Sequence, residues 1–146
     1  MLVEVNFTLT GPQEELDRFA ALFAPYGGDF TFQALVPIPA DAPKPLTEEW
    51  TVKNWGCYGD ADDGALECGP GSIEVWFNTE WSSPKLVLKA IAEQFPKLAL
   101  SGTARCEEGE FNEFFDGAEG FFSHNVEEVD ESFDEEEDEA SELAEL

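Results

Sequence analysis

Twice in this chain a short stretch alternates apolar with polar residues and then passes through a proline into a helical pattern. Val3, Val5, Phe7 and Leu9 alternate with Glu4, Asn6 and Thr8, and Ile73, Val75 and Phe77 alternate with Glu74, Trp76 and Asn78. Period 2 marks a strand with one buried face. Gly11-Pro12 and Ser83-Pro84 follow, each placing proline where a helix begins and a missing N–H does no harm. Leu16, Phe19, Ala20 and Phe23 then fall at i, i+3, i+4 and i+7, a single apolar stripe, with Glu14, Glu15 and Asp17 at the positive end of that helix. Val87, Ala90, Ile91, Gln94 and Phe95 define the inner face of the second helix, and Pro96 closes it. Strands with one apolar face and helices with one apolar stripe must cover each other, which restricts the chain to a layered α+β architecture.

The intervening segments complete the expectation. Phe30, Phe32, Ala34 and Val36 read as a second strand, and Leu98, Leu100, Gly102, Ala104 and Cys106 as a fourth, with Phe121 and Phe122 in a fifth. Between them, residues 37–71 carry Pro37, Pro39, Pro43 and Pro45, a short helix capped by Thr47, and a Gly- and Asp-rich excursion from Gly59 to Gly71. The order β-α-β, insertion, β-α-β predicts a ferredoxin-like split βαβ sandwich with a long insertion between the second and third strands. Residues 1–125 form that domain, and residues 126–146 form an acidic tail.

Charge separates the same two parts. The 146 residues hold 33 Asp and Glu against 7 Lys and Arg, a net charge of −26. The tail contributes twelve acids and no base, including the unbroken run Asp134 to Glu139, and is expected to be disordered when free. The remaining 125 residues still carry a net charge of −14. A surface this negative repels phosphates and argues against direct binding of nucleic acid. No apolar run approaches a membrane span and no signal peptide is recognisable, so the chain reads as a cytoplasmic protein.

Several segments resemble a known family. Asn6-Phe7-Thr8-Leu9-Thr10-Gly11-Pro12 looks like the strand-to-helix opening of the YubB ferredoxin-like family. Asp29-Phe30-Thr31-Phe32 through Val36-Pro37-Ile38-Pro39, Asn54-Trp55-Gly56, and Phe77-Asn78-Thr79-Glu80-Trp81-Ser82-Ser83-Pro84 resemble its later motifs. The resemblance implies a ferredoxin-like fold without an iron–sulfur cluster, in proteins often carried by phages and plasmids. It transfers no catalytic residue.

The chemistry-bearing residues point away from catalysis. His124, the sole histidine, has no nucleophile motif around it, and Gly69-Pro70-Gly71 is a turn rather than a phosphate loop. Aligning Gly64 with the sixth position of an EF-hand loop puts Gly59 first and Pro70 twelfth, so the calcium pattern fails. Cys57, Cys68 and Cys106 form no Cys-x-x-Cys pair, and Cys106 lies on a strand pattern as a core residue. No metal and no cofactor is implied.

The acidic body is the informative oddity. Asp60, Asp62, Asp63 and Glu67 cluster in the excursion, and Glu107, Glu108, Glu110, Glu113, Asp116 and Glu119 follow the fourth strand, interleaved with phenylalanines. Duplex DNA presents one negative charge per roughly 1.7 Å of axis, and ordered carboxylates imitate part of such a field. The leading expectation is therefore a non-enzymatic interaction protein that occupies the basic surface of a nucleic-acid-binding partner, of the anti-CRISPR or anti-restriction type. Trp76, opposite the core face of its strand, is expected either to cover an edge or to form part of a binding surface. A second expectation is a ligand-binding or carboxylate-dependent pocket near Asn54, Trp55 and Trp81. A third assigns the acids to solubility or salt adaptation alone.

Overall fold

The computed structural model of the chain describes residues 2–106, 109 and 111–128. Its elements run β1 (Leu2–Thr10), α1 (Gln13–Ala21), α2 (Glu48–Trp55), β2 (Tyr58–Gly69), β3 (Ser72–Glu80), α3 (Lys85–Gln94), β4 (Ala99–Cys106), β5 (Phe111–Ala118) and β6 (Phe121–Glu128). All these strands join one antiparallel sheet in the order β2-β3-β1-β4-β5-β6. The first four positions are the ferredoxin-like arrangement, in which the two strand–helix units interleave, and the β5–β6 hairpin extends it beyond β4.

The alternation read in β1 and β3 sets the layers. Val3, Val5, Phe7 and Leu9 pair across the sheet with Thr79, Phe77, Val75 and Ile73, and all of these are buried. Leu16, Phe19 and Phe23 from the first helical segment and Val87, Leu88, Ile91 and Phe95 from the second pack on that face. Proline precedes both helices, as the spacing predicts. Among the described residues the opposite face of the sheet has no helix on it, because both crossovers return on the same side.

The second strand is corrected. Phe30 to Val36 is not a strand but a loop containing a single 3-10 turn at Phe32–Ala34. Its rings plug the core: Phe30 stacks on Phe77 at 4.9 Å, and Phe32 meets Trp55 edge-on at 5.5 Å. The true partner of β3 is the Gly- and Asp-rich stretch, which forms β2 and turns directly into β3 through Pro70-Gly71. The long excursion therefore lies between α1 and β2, ahead of the second strand rather than behind it. It includes α2, whose Thr47 Oγ1 accepts from the Trp50 N–H at 3.1 Å.

The end of the domain also moves. β5 occupies much of the segment expected as an acidic loop, and β6 continues through residue 125 to Glu128. The acidic tail beyond it lies outside the described residues. Among the described residues no helix is long and apolar enough to cross a membrane.

Candidate functional site

The uncovered face of the sheet is built from the polar positions of the same alternation. Trp76 on β3 lies beside Asn6 on β1, Asn6 beside Thr103 on β4, Thr103 beside Phe114 on β5, and Phe114 beside Asn125 on β6. Trp76 and Phe114 are each 42% exposed. This central row is flanked by carboxylates on both sides. On one side Glu67 and Glu74 are direct cross-strand neighbours, and Asp116 follows further along. On the other side come Asp62, Glu4 and Glu127. Glu4 and Thr8, on the two flanking rows, are four residues apart on β1, so the rows run about 13 Å from each other.

Positive charge is partitioned the other way. Arg18, Lys53, Lys85 and Lys89 lie on the three helices, and Lys44 and Lys97 lie in connections. Among the described residues Arg105, opposite Glu4, is the one lysine or arginine on a strand. The sheet face is therefore strongly negative, whereas acids and bases mix on the helical side, where Arg18 reaches Glu15 at 2.8 Å and covers the Phe95 ring at 4.2 Å.

Two shallow hollows flank the Glu4–Asn6 ridge. One, of about 400 Å³, is lined by Glu4, Val5, Asn6, Asp63, Trp76, Phe77 and Asn78. The other, of about 290 Å³, is lined by Glu4, Asn6, Thr103, Ala104, Arg105, Asn112 and Phe114. Asp63 reaches its hollow through a bulge. Asp62 pairs with Asn78 and Ala65 with Trp76, so Asp63 and Gly64 together stand opposite Phe77. Gly64 takes the inward position against Phe30 and Phe77, and Asp63 adopts a left-handed φ of 53°.

The expected site residues divide accordingly. Asp62, Asp63, Glu67 and Asp116 come together on or at the rim of the open face, with Trp76 in its centre. Glu119 is exposed in the β5–β6 turn, near Pro96 and Lys97 at one end of the molecule. Glu107, Glu108 and Glu110 lie outside the described residues.

Asp60 is corrected to a structural role. Its carboxylate accepts from Thr31 Oγ1 at 2.5 Å, the Phe32 N–H at 2.7 Å and Gln33 Nε2 at 3.2 Å, which ties the core-plugging loop to β2. Glu113 is corrected as well. It is 2% exposed on the helix side, where Ser83 Oγ donates to Oε1 at 2.5 Å and His124 Nδ1 approaches Oε2 at 2.8 Å. The imidazole contact falls outside hydrogen-bond geometry and is an ion pair whenever the ring is protonated.

The residues expected around a pocket are also committed elsewhere. Trp55 is 1% exposed and donates its indole N–H to Val36 O at 3.1 Å, and the Asn54 amide donates to Trp50 O. Trp81 is exposed and meets Tyr58 edge-on. All three cysteines are free thiols, with Cys57 and Cys106 buried. Among the described residues no group of three or more His, Cys, Asp or Glu is placed to hold a metal ion.

Sequence reasoning missed Glu4, Glu74 and Glu127 as members of this face. The signal was present for the first two: each occupies a polar position of an alternating strand, which fixes its side of the sheet.

The family described as the ferredoxin-like domain in Api92-like protein matches residues 54–145. The chain belongs to this family. The matched region starts at Asn54 and takes in β2 through β6, and so includes three of the four strands that lead the sheet order as well as the added hairpin. Membership establishes the ferredoxin-like domain and agrees with the α+β sheet described above. No curated protein matches the chain, and no solved structure does.

Proposed function

We propose that this chain is a non-enzymatic interaction protein whose open sheet face occupies the basic surface of a nucleic-acid-binding partner. The observation that carries the reading is the segregation of charge: Glu4, Asp62, Glu67, Glu74, Asp116 and Glu127 share one face with Arg105 as their basic neighbour. Acids also lie in the helices, among them Glu14, Glu15, Asp17, Glu48, Glu49 and Glu93. Six of the seven lysines and arginines, however, lie in helices and connections and offset them there. Net negative charge therefore concentrates on the sheet face, which favours imitation of a polyanion over salt adaptation. Ferredoxin-like sheets with exposed aromatics are a known platform for stacking RNA bases. Here carboxylates surround Trp76 and Phe114, and the same platform repels a phosphate backbone and attracts a cationic groove.

The resemblance to the YubB family supports a setting on a phage or plasmid, and with it a host defence nuclease as partner. Inhibition then works by competition for the groove that holds DNA. The test measures DNA cleavage by a CRISPR effector and a restriction endonuclease with increasing amounts of the chain, across a salt series. Inhibition that weakens with salt and is relieved by excess duplex supports the reading. A variant with Glu4, Glu74 and Asp116 changed to Gln or Asn must lose it, while one with Glu14 and Glu93 changed to Gln must keep it. Inhibition equal in both variants overturns the proposal.

A further inference from the structure

We infer that the hollow beside Trp76 is a seat for an arginine side chain supplied by the partner, an inference that rests on the reading of the open face as a contact surface. The hollow is a compact patch: Glu4 and Asn6 on β1 stand directly opposite Asn78 and Trp76 on β3, and the bulge in β2 brings Asp63 over its third side. Cross-strand neighbours of this kind place their Cβ atoms about 5 Å apart, so the four side chains and Asp63 converge on one volume.

The lining has the chemistry of a guanidinium receptor. Glu4 and Asp63 are carboxylates able to accept paired N–H donors, Asn6 and Asn78 add carboxamide oxygens, and the Trp76 indole offers a flat face for stacking. Among the described residues no lysine or arginine lines it. The neighbouring hollow differs on this point, because Arg105 lines it and repels a second cation. The two hollows share Glu4 and Asn6, so one sheet face carries a seat for a cation beside a place already positively charged. This asymmetry fixes where an incoming arginine docks along the face. A lysine has the charge but neither the planar fork nor the stacking surface, so the seat discriminates between the two.

The test uses the full chain and two nonapeptides, one with three arginines and its counterpart with three lysines, titrated by NMR at low and high salt. The arginine peptide is expected to shift the Trp76 indole N–H resonance and to bind about two- to five-fold more tightly than the lysine peptide. Trp76→Leu, which keeps an apolar cover, and Asp63→Asn are each expected to erase that preference while leaving salt-sensitive binding of both peptides. Equal binding of the two peptides, or shifts confined to residues away from Trp76, overturns the arginine seat and leaves the acidic contact surface standing. Failure of both peptides to bind at low salt overturns the contact surface itself.

Discussion

His124 Nδ1 stands 2.8 Å from Glu113 Oε2 while Ser83 Oγ holds the other oxygen of the same carboxylate. The buried Glu113 side chain thereby fastens the start of α3 to β5, with the imidazole of the outermost strand, β6, beside it. The added hairpin is thus clamped to the ferredoxin-like core from its covered side, which leaves its open face available for contact.

Removing that carboxylate leaves the buried Ser83 hydroxyl without its partner. Glu113→Ala is expected to cost about 1–3 kcal/mol in urea unfolding, and Glu113→Gln less, because an amide oxygen still accepts from Ser83. A midpoint for Glu113→Ala equal to that of the parent would show that the clamp contributes nothing.

Asp60 and Asp62 are two residues apart and have opposite roles. Asp60→Ala releases the loop carrying Phe30 and Phe32 and is expected to lower stability by about 1.5–3 kcal/mol, the range for hydrogen bonds to a charged group. Asp62→Asn is expected to leave stability unchanged and to weaken binding to a cationic partner. Paired denaturation and binding measurements separate them.

At Gly102, directly opposite Phe7 in the β1–β4 ladder, an added Cβ would come within 3.0 Å of Asn6 O and of the Phe7 Cα and Cβ. Gly102→Ala is therefore expected to force the two central strands apart and cost about 1–3 kcal/mol. Native-like stability for this variant would contradict the pairing of Gly102 with Phe7.

Glu67 and Glu74 face each other across β2 and β3, a like-charge pairing that weakens a sheet. Glu67→Gln is expected to raise the thermal midpoint by about 1–3 °C at low salt, with the gain fading above the ionic strength that screens the pair. The same change should weaken attachment to a basic partner. A variant that binds as well as the parent while melting higher would remove the reason for keeping both carboxylates.

Burial, reinforced by the charge of Asp60, pushes the Cys57 thiol up from its ordinary 9.0 to about 12. Above pH 9 the unfolded chain releases a proton that the folded chain retains, so ionisation favours unfolding and stability falls as pH rises toward 12. Cys57→Ser or Cys57→Ala should flatten this alkaline decline. In the folded protein, alkylation at about pH 8, near the ordinary thiol range, is expected at exposed Cys68 and not at Cys57.

The elements legible in the sequence are those whose periodicity reflects burial alone. Val3 to Leu9 and Ile73 to Phe77 are central strands, Leu16, Phe19, Val87 and Ile91 face the core as spaced, and Thr47 caps the short helix. β2 was hidden because Gly59, Gly64, Asp60, Asp62 and Asp63 are poor strand formers on their own. They pair because β3 supplies a preformed ladder, and an edge position tolerates the bulge. The false strand at Phe30 to Val36 has the right period, yet its rings enter the core from a loop held by Asp60. Glu113 was unreadable for another reason: a carboxylate among acids looks solvated, and only the fold places Ser83 and His124 around it.

Cations offset the acids on the helical side and leave the open sheet face with the larger net negative charge, which gives the molecule a permanent electric dipole directed through its layers. In the field of any cationic surface this dipole experiences a torque at distances of about a Debye length, 8–10 Å, which turns the strands toward that surface before contact. Random collisions are thereby converted into oriented ones, which lowers the rotational search that ordinarily limits association.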